Sequence, residues 1–327
     1  MSAVSNTLFL LLVSFLITLI WAPPFIDLLY KHGFRRKDER HRFIYRFIQR
    51  EKTGMPSMGG LLIIFTLLIM AILFVELKVE ILLLLLTMFL FGTLGLIDDL
   101  KTLVHVINKY WGMRRRHVLI LQVLMAMVIG YGLFKYANLD SIEVPILGWQ
   151  IYLGWVYVFW AGFWIVASSN AFNITDGIDG LSAGLLVIAL TAFLVLSLVS
   201  GNNPLALFVA IWLGSVLVYL YFNIHPARFM MGDVGAQPFG AMLAVVALLL
   251  GQSVLLPIIG AVFFVELASS AIQILSKKFR KGKKVWTIAP LHYHFQVKRW
   301  SEGKICMRFW LAGALCAYLG LMIGLWR

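Results

Sequence analysis

The chain has 327 residues, 61% of them hydrophobic and 13% charged, with a mean hydropathy of +0.90. These proportions exclude a soluble globular domain, so lipid is the expected solvent, with room for about ten membrane spans of ~20 residues and no sizeable domain outside them. The net charge of +13 does not by itself point to nucleic acid, because in such a chain the informative quantity is which connections hold the cations.

In chain order, apolar runs predict spans at roughly 8–30, 57–75, 79–97, 117–136, 149–168, 181–199, 204–222, 237–254, 256–276 and 306–326. The predicted fold class is an all-α integral membrane protein of about ten transmembrane helices, a single polytopic domain over residues 1–327. The first run lacks a basic leader and an Ala-x-Ala site, so it is expected to be retained as a span. The connections after spans one, three, five, seven and nine hold 25 of the 28 Lys and Arg. Cations are retained on the cytoplasmic side, so those odd connections are expected to be cytoplasmic and both termini extracytoplasmic. Cys306 and Cys316 sit ten positions apart in the last run, too far along one helix to pair.

The unusual polar residues fall in the same odd connections. Lys52 precedes a glycine-rich stretch, Gly54-Met-Pro-Ser-Met-Gly-Gly60, that suits close approach of backbone to a ligand. Asp98 and Asp99 are expected to end the third span, where adjacent acids oppose the helix dipole and repel each other unless a cation such as Mg2+ compensates. A bland interfacial pair explains them about equally well.

Between spans five and six, Asn170-Ala-Phe-Asn-Ile-Thr-Asp-Gly-Ile-Asp-Gly-Leu181 packs two Asn, a Thr and two Asp into twelve residues. If Asp176 and Asp179 lie on the first turn of the next helix, their spacing puts them on one face, offering ligands for a metal or a sugar nucleotide. Ordinary helix capping explains one acid but not this density. Asn223-Ile-His-Pro-Ala-Arg-Phe-Met-Met-Gly-Asp-Val-Gly235 places Asp233 just before a helix, able to cap it or to hold a metal.

Glu266 is the one carboxylate deep in a predicted span, a functional candidate or the partner of a buried hydrogen bond. His292 and His294, in Pro290-Leu-His-Tyr-His-Phe295, share a face if that segment is extended, and their imidazoles could donate to phosphate. The basic runs at Arg114–Arg116 and Lys277–Lys284 read as anchors to anionic lipid.

These stretches, in this order, resemble the polyprenyl-phosphate N-acetylhexosamine-1-phosphate transferases over nearly the whole chain. Gly95-Leu-Ile-Asp-Asp99 is similar to their aspartate pair, Asn170–Gly180 to their Asn-x-x-Asn-x-Thr-Asp-Gly-x-Asp-Gly motif, and Asn223–Asp233 to Asn-x-x-Pro-Ala-x-x-x-Met-Gly-Asp. Thr175 and Ala289-Pro-Leu-His-Tyr-His-Phe295 resemble the phospho-N-acetylmuramoyl-pentapeptide branch. The resemblance implies a Mg2+-dependent bacterial plasma-membrane enzyme, usually a homodimer, that converts UDP-N-acetylmuramoyl-pentapeptide and undecaprenyl phosphate to lipid I and UMP for peptidoglycan, with no nucleic acid involved.

It further implies Asp233 as metal ligand, with Asp176 as a second candidate, and Asp98, Asp99, Asp233 and His292 as catalytic residues. Lys52, Ser57, Asn170, Asn173, Asp176, Asp179, Asn223 and His294 would bind substrate. The chain departs from the family pattern at Met55, Met230, Val234, Ala236, Tyr293 and Gln296, and Lys101 sits one position closer to the aspartate pair than the family's lysine. These departures are expected around nucleotide and sugar recognition.

Direct attack of the lipid phosphate and a covalent aspartyl intermediate are both open at this stage. A relative using UDP-N-acetylglucosamine is the nearest alternative. A transporter fits less well, because its charges should sit near the bilayer midplane.

Overall fold

A computed structural model describes residues 3–33, 54–104 and 115–326. The regular secondary structure of the described residues is helical apart from one small hairpin. The helices are α1 (Ala3–Lys31), α2 (Gly60–Phe74), α3 (Val79–Val104), α4 (Arg115–Tyr136), α5 (Tyr157–Thr175), α6 (Leu181–Val199), α7 (Asn203–Asn223), α8 (Asp233–Leu249), the short α9 (Leu256–Ile259), α10 (Ala261–Phe279), α11 (Leu291–Val297) and α12 (Glu302–Leu325). Six of them, α1, α3, α4, α6, α7 and α12, are long and apolar enough to cross a bilayer, while α2 and α8 are shorter apolar helices.

Two predicted boundaries move for local reasons. The fifth run was expected to be helical from 149, but β1 (Ser141–Val144) and β2 (Trp149–Tyr152) pair antiparallel, turning at Gly148 in the left-handed region, and α5 begins only at Tyr157. The ninth run is interrupted at Gly260, which separates α9 from α10.

The centre of the bundle is α8. Its residues Val234–Leu248 are all buried, and it packs against α2, α3 and α5. Around this core α1 packs on α7, α4 on α5, and α12 on α6. Large apolar side chains such as Phe9, Leu124, Phe163 and Leu315 remain exposed on the outside, as a lipid-facing surface requires.

Lipid offers no hydrophobic drive for helix association, so close backbone packing and buried polar contacts must hold the bundle. A Cβ on Gly60 would lie 2.3 Å from the Gly235 Cα, so α2 and α8 meet backbone to backbone at their first turns. Ser14 donates to the Ile211 carbonyl at 2.7 Å, and the Trp21 indole to Thr66 Oγ1 at 3.0 Å. Each such polar contact adds on the order of 0.6 kcal/mol in a membrane bundle.

Candidate active site

The site is organised around the first turn of α8. Its N-cap is Gly232, with no side chain to satisfy the orphan N–H groups. Asp99 supplies the cap from α3: its Oδ1 accepts the Asp233 N–H at 3.1 Å and its Oδ2 the Val234 N–H at 3.0 Å. A carboxylate there also sits at the favourable positive end of the helix dipole. Gly95, one turn earlier on α3, makes this reach possible, since a Cβ there would fall 2.0 Å from the Asp233 carbonyl oxygen.

The expected placement of the aspartate pair is therefore corrected. Asp98 and Asp99 do not end a helix, because α3 continues to Val104. The acids face another helix's N-terminus rather than opposing their own C-terminus. Asp99 caps α8, a role that sequence assigned to Asp233.

Asp233 is left for other contacts. Asn173 donates to its Oδ1 at 3.0 Å. The carboxyl of Asp98 meets that of Asp233, and the charges of Asp98 and Asp176 bear on Asp99. Ser57 joins from the segment before α2, where its Oγ and Asp99 Oδ2 crowd the space that a Cβ on Gly232 would take. Ser57, Asp98, Asp99, Asn173, Asp176 and Asp233 thus converge from four odd connections. Lys101, to which sequence gave no role, belongs with them: its Nζ is screened from solvent and lies 3.8 Å from Asp98 Oδ1.

The glycine-rich stretch before α2 approaches the chain itself rather than open space. Gly59 and Gly60 donate to the carbonyls of Met230 and Met231, each at 2.8 Å, and Met230 donates to the Pro56 carbonyl at 2.8 Å. These backbone bonds fix the segment that leads into Asp233. Lys52 lies outside the described residues.

The turn between α5 and α6 also differs from expectation. Asp176 is the C-cap of α5, and α6 starts only at Leu181 after Gly180, whose φ is +78°. Asp176 and Asp179 are therefore not on one helical face. The Asp176 carboxylate accepts from the Ser182 hydroxyl and lies toward Asp99. Asp179 turns toward the 224–232 loop, accepting the Ala227 N–H at 3.2 Å beside His225 Nδ1 at 3.1 Å.

Asn223 staples this turn to that loop, accepting the Gly180 N–H at 2.9 Å and donating to the Phe229 carbonyl at 2.9 Å. Asn170 points into the bundle, donating to Gln122 Oε1 and the Val166 carbonyl, both at 2.8 Å.

The histidine segment is helical, not extended, so His292 and His294 are about 200° apart and do not share a face. His292 is fully buried, with Nδ1 3.3 Å from Glu266 Oε2 and Nε2 packed beneath Gly177. Tyr293 donates to the Gly177 carbonyl at 3.3 Å. His294 is half-buried, and burial together with the Lys298 charge lowers its pKa from the ordinary 6.5. Among the departures, Val234 and Ala236 are buried in α8, and Met230 is nearly as buried.

Two groups could hold a metal ion. Asp179, His225 and Glu302 place one ligand atom each within 4.8 Å of one another. Their atoms are already engaged, however: Glu302 accepts the Asp179 N–H through Oε2 and the Gln296 amide through Oε1. The Asp98–Asp233 contact has the opposite character. Two neighbouring carboxyls repel unless a proton or a cation lies between them, and an all-oxygen donor set suits a hard divalent ion such as Mg2+. The sequence signal that could have found the missed pair is His225 two residues after Asn223, and Glu302 in the first turn of α12.

Residues 81–251 match the family model for glycosyl transferase family 4. The chain is 37% identical over 322 residues to a phospho-N-acetylmuramoyl-pentapeptide-transferase of Geobacillus sp. (strain WCH70), covering 97% of each. It is 36% identical over 327 residues to that of Bacillus subtilis (strain 168), covering 98% of each, and 38% identical over 323 residues to that of Bacillus mycoides (strain KBAB4), covering 96% of each. The chain belongs to the phospho-N-acetylmuramoyl-pentapeptide-transferase family.

The span matched by the family model holds both ends of the Asp99 cap and the contacts of Asp233. Ser57, Glu266 and the histidine segment lie outside it, in the part shared with full-length phospho-N-acetylmuramoyl-pentapeptide-transferases.

Proposed function

We propose that this protein transfers phospho-N-acetylmuramoyl-pentapeptide from its UDP donor to undecaprenyl phosphate, releasing UMP and forming lipid I for peptidoglycan. The observation that carries this reading is the meeting of Asp98, Asp176 and Asp233 around the Asp99-capped turn in a chain of this family. In the same reading the bundle spans a bacterial plasma membrane ten times, with the site at the cytoplasmic interface and both termini outside. The excess of Lys and Arg in the odd connections supports that orientation. The homodimer and the part of Lys52 in substrate binding rest on the family resemblance alone.

Asp233 and Asp98, with Asp176 nearby, would hold Mg2+. Bound there, the ion would neutralise the diphosphate and the charge developing on UMP. Asn173 orients the Asp233 carboxylate by donating to one oxygen and leaving the other for a ligand. Asp99 holds the turn in place and Ser57 lines its edge. Lys101 brings a positive charge to the same cluster, suited to a phosphate.

The nucleophile needs little help from a base, since a phosphate monoester has its second pKa near 6 and is largely dianionic at neutral pH. Its oxygen attacks the β-phosphorus, the bond to the UMP oxygen breaks, and UMP leaves with the bonding electrons. Positioning and charge neutralisation supply the acceleration.

Asp233→Asn tests this account. Loss of Mg2+-dependent UMP release, with the protein still folded, supports it. Full Mg2+-dependent turnover in that variant removes the proposed metal role.

A further inference from the structure

Glu266 lies in α10 with no solvent exposure. A buried carboxylate is costly unless its lone pairs are satisfied, and here they are directed at one target. Oε2 accepts the Leu291 N–H at 2.8 Å and Oε1 the His292 N–H at 3.0 Å, while His292 Nδ1 lies 3.3 Å from Oε2. The residue before α11 is Pro290, which offers no side-chain cap. Glu266 therefore provides from another helix the acceptor that the start of α11 lacks.

The next link runs from α11 to the α5–α6 turn. Neither ring nitrogen of His292 makes a hydrogen bond, and Nε2 packs under Gly177, where a Cβ would fall 2.3 Å from it. Tyr293 holds the Gly177 carbonyl from the same helix. Gly177 directly follows Asp176, whose carboxylate lies toward Asp99.

We infer that Glu266 is a positioning residue: through His292 and Tyr293 it sets the height of the 176–180 turn and so the place of Asp176 in the active site. The inference rests on the functional reading above only for its kinetic measurement. Because Glu266 touches no reacting atom, its loss should lower turnover while leaving the apparent affinity for the sugar nucleotide nearly unchanged.

The experiment combines Glu266→Gln, Glu266→Asp and His292→Ala with hydrogen exchange read by mass spectrometry on the full-length protein in detergent. In Glu266→Gln one amide N–H of the side chain must face a backbone donor. The expected result is faster exchange confined to peptides covering 289–297 and 176–182, a kcat for UMP release at least tenfold lower, and a KM within about threefold. The double variant carrying both Glu266→Gln and His292→Ala should lose less than the product of the single losses, because both act through α11.

Wild-type exchange and turnover in Glu266→Gln would overturn the inference, as would losses that multiply in full. If Glu266→Gln does not fold, the shorter Glu266→Asp, which keeps the charge, carries the same comparison. If the wild-type protein releases no UMP from any donor, the functional reading fails, and the exchange measurement still decides the role of Glu266.

Discussion

Asp99 and Val234 are joined by a 3.0 Å hydrogen bond from the α8 backbone to the α3 carboxylate. The bond turns an acid in a hydrophobic helix into the N-terminal cap of the most buried helix in the bundle. The catalytic candidate Asp233 sits on the residue being capped, so stability and site geometry share one contact.

Replacing Asp99 with Ala should cost about 1–2 kcal/mol of stability, the usual loss for a removed cap, and abolish turnover. Asp99→Asn keeps an acceptor for one of the two N–H groups and should fall between the wild-type protein and Ala in thermal midpoint. Thermal unfolding in detergent, followed alongside UMP release, checks the order of the three proteins. An Asp99→Ala protein as stable as wild type would show that the cap contributes nothing.

Gly95→Ala should be far more damaging than its single methyl suggests. The added Cβ would meet the Asp233 carbonyl at 2.0 Å, and a backbone atom can move aside only by separating α3 from α8. Gly303, in the first turn of α12, has open space around it, so Gly303→Ala should change stability by no more than about 0.5 kcal/mol. The pair is read by yield of folded protein and by activity.

Asn223→Ala leaves the Gly180 N–H and the Phe229 carbonyl without their buried partner. A loss of about 1–3 kcal/mol is expected, together with a raised KM for the sugar nucleotide as the turn and the loop come apart. Asn223→Asp keeps the acceptor but sets a carboxylate against a carbonyl, and should rescue little. Thermal midpoints and KM values of the two variants test this.

The lowered pKa of His294 gives a pH dependence of definite sign. An unfolded chain binds this proton near pH 6.5, and the folded chain binds it only at lower pH. In that window the unfolded state holds more protons, so stability is full above about 6.5 and is lost as the pH falls through it. His294→Gln should show a smaller fall in thermal midpoint between pH 7.5 and 5.5 than the wild-type protein, and an equal fall would remove this contribution.

Much of the site was legible because charged and amide side chains are expensive beside lipid, so their clustering in the odd connections stood out against long apolar runs. Asp98, Asp99, Asn173, Asp176 and Asp233 are brought together as that pattern implied. What could not be read were contacts set by tertiary structure. Gly180 delays the start of α6 and sends Asp179 away from Asp176. The histidine segment becomes helical where Glu266, twenty-five residues earlier, supplies its first acceptor. The glycines before α2 serve contact with Gly235 and with Met230–Met231, a partner that no local spacing announces.

The most direct test of the central claim is UMP release by the purified full-length protein, given undecaprenyl phosphate and Mg2+ with each UDP-sugar in turn. The account predicts rapid release from UDP-N-acetylmuramoyl-pentapeptide, with the sugar phosphate recovered on the lipid, and little from UDP-N-acetylglucosamine. Efficient release from UDP-N-acetylglucosamine with none from the muramoyl-pentapeptide donor would contradict it.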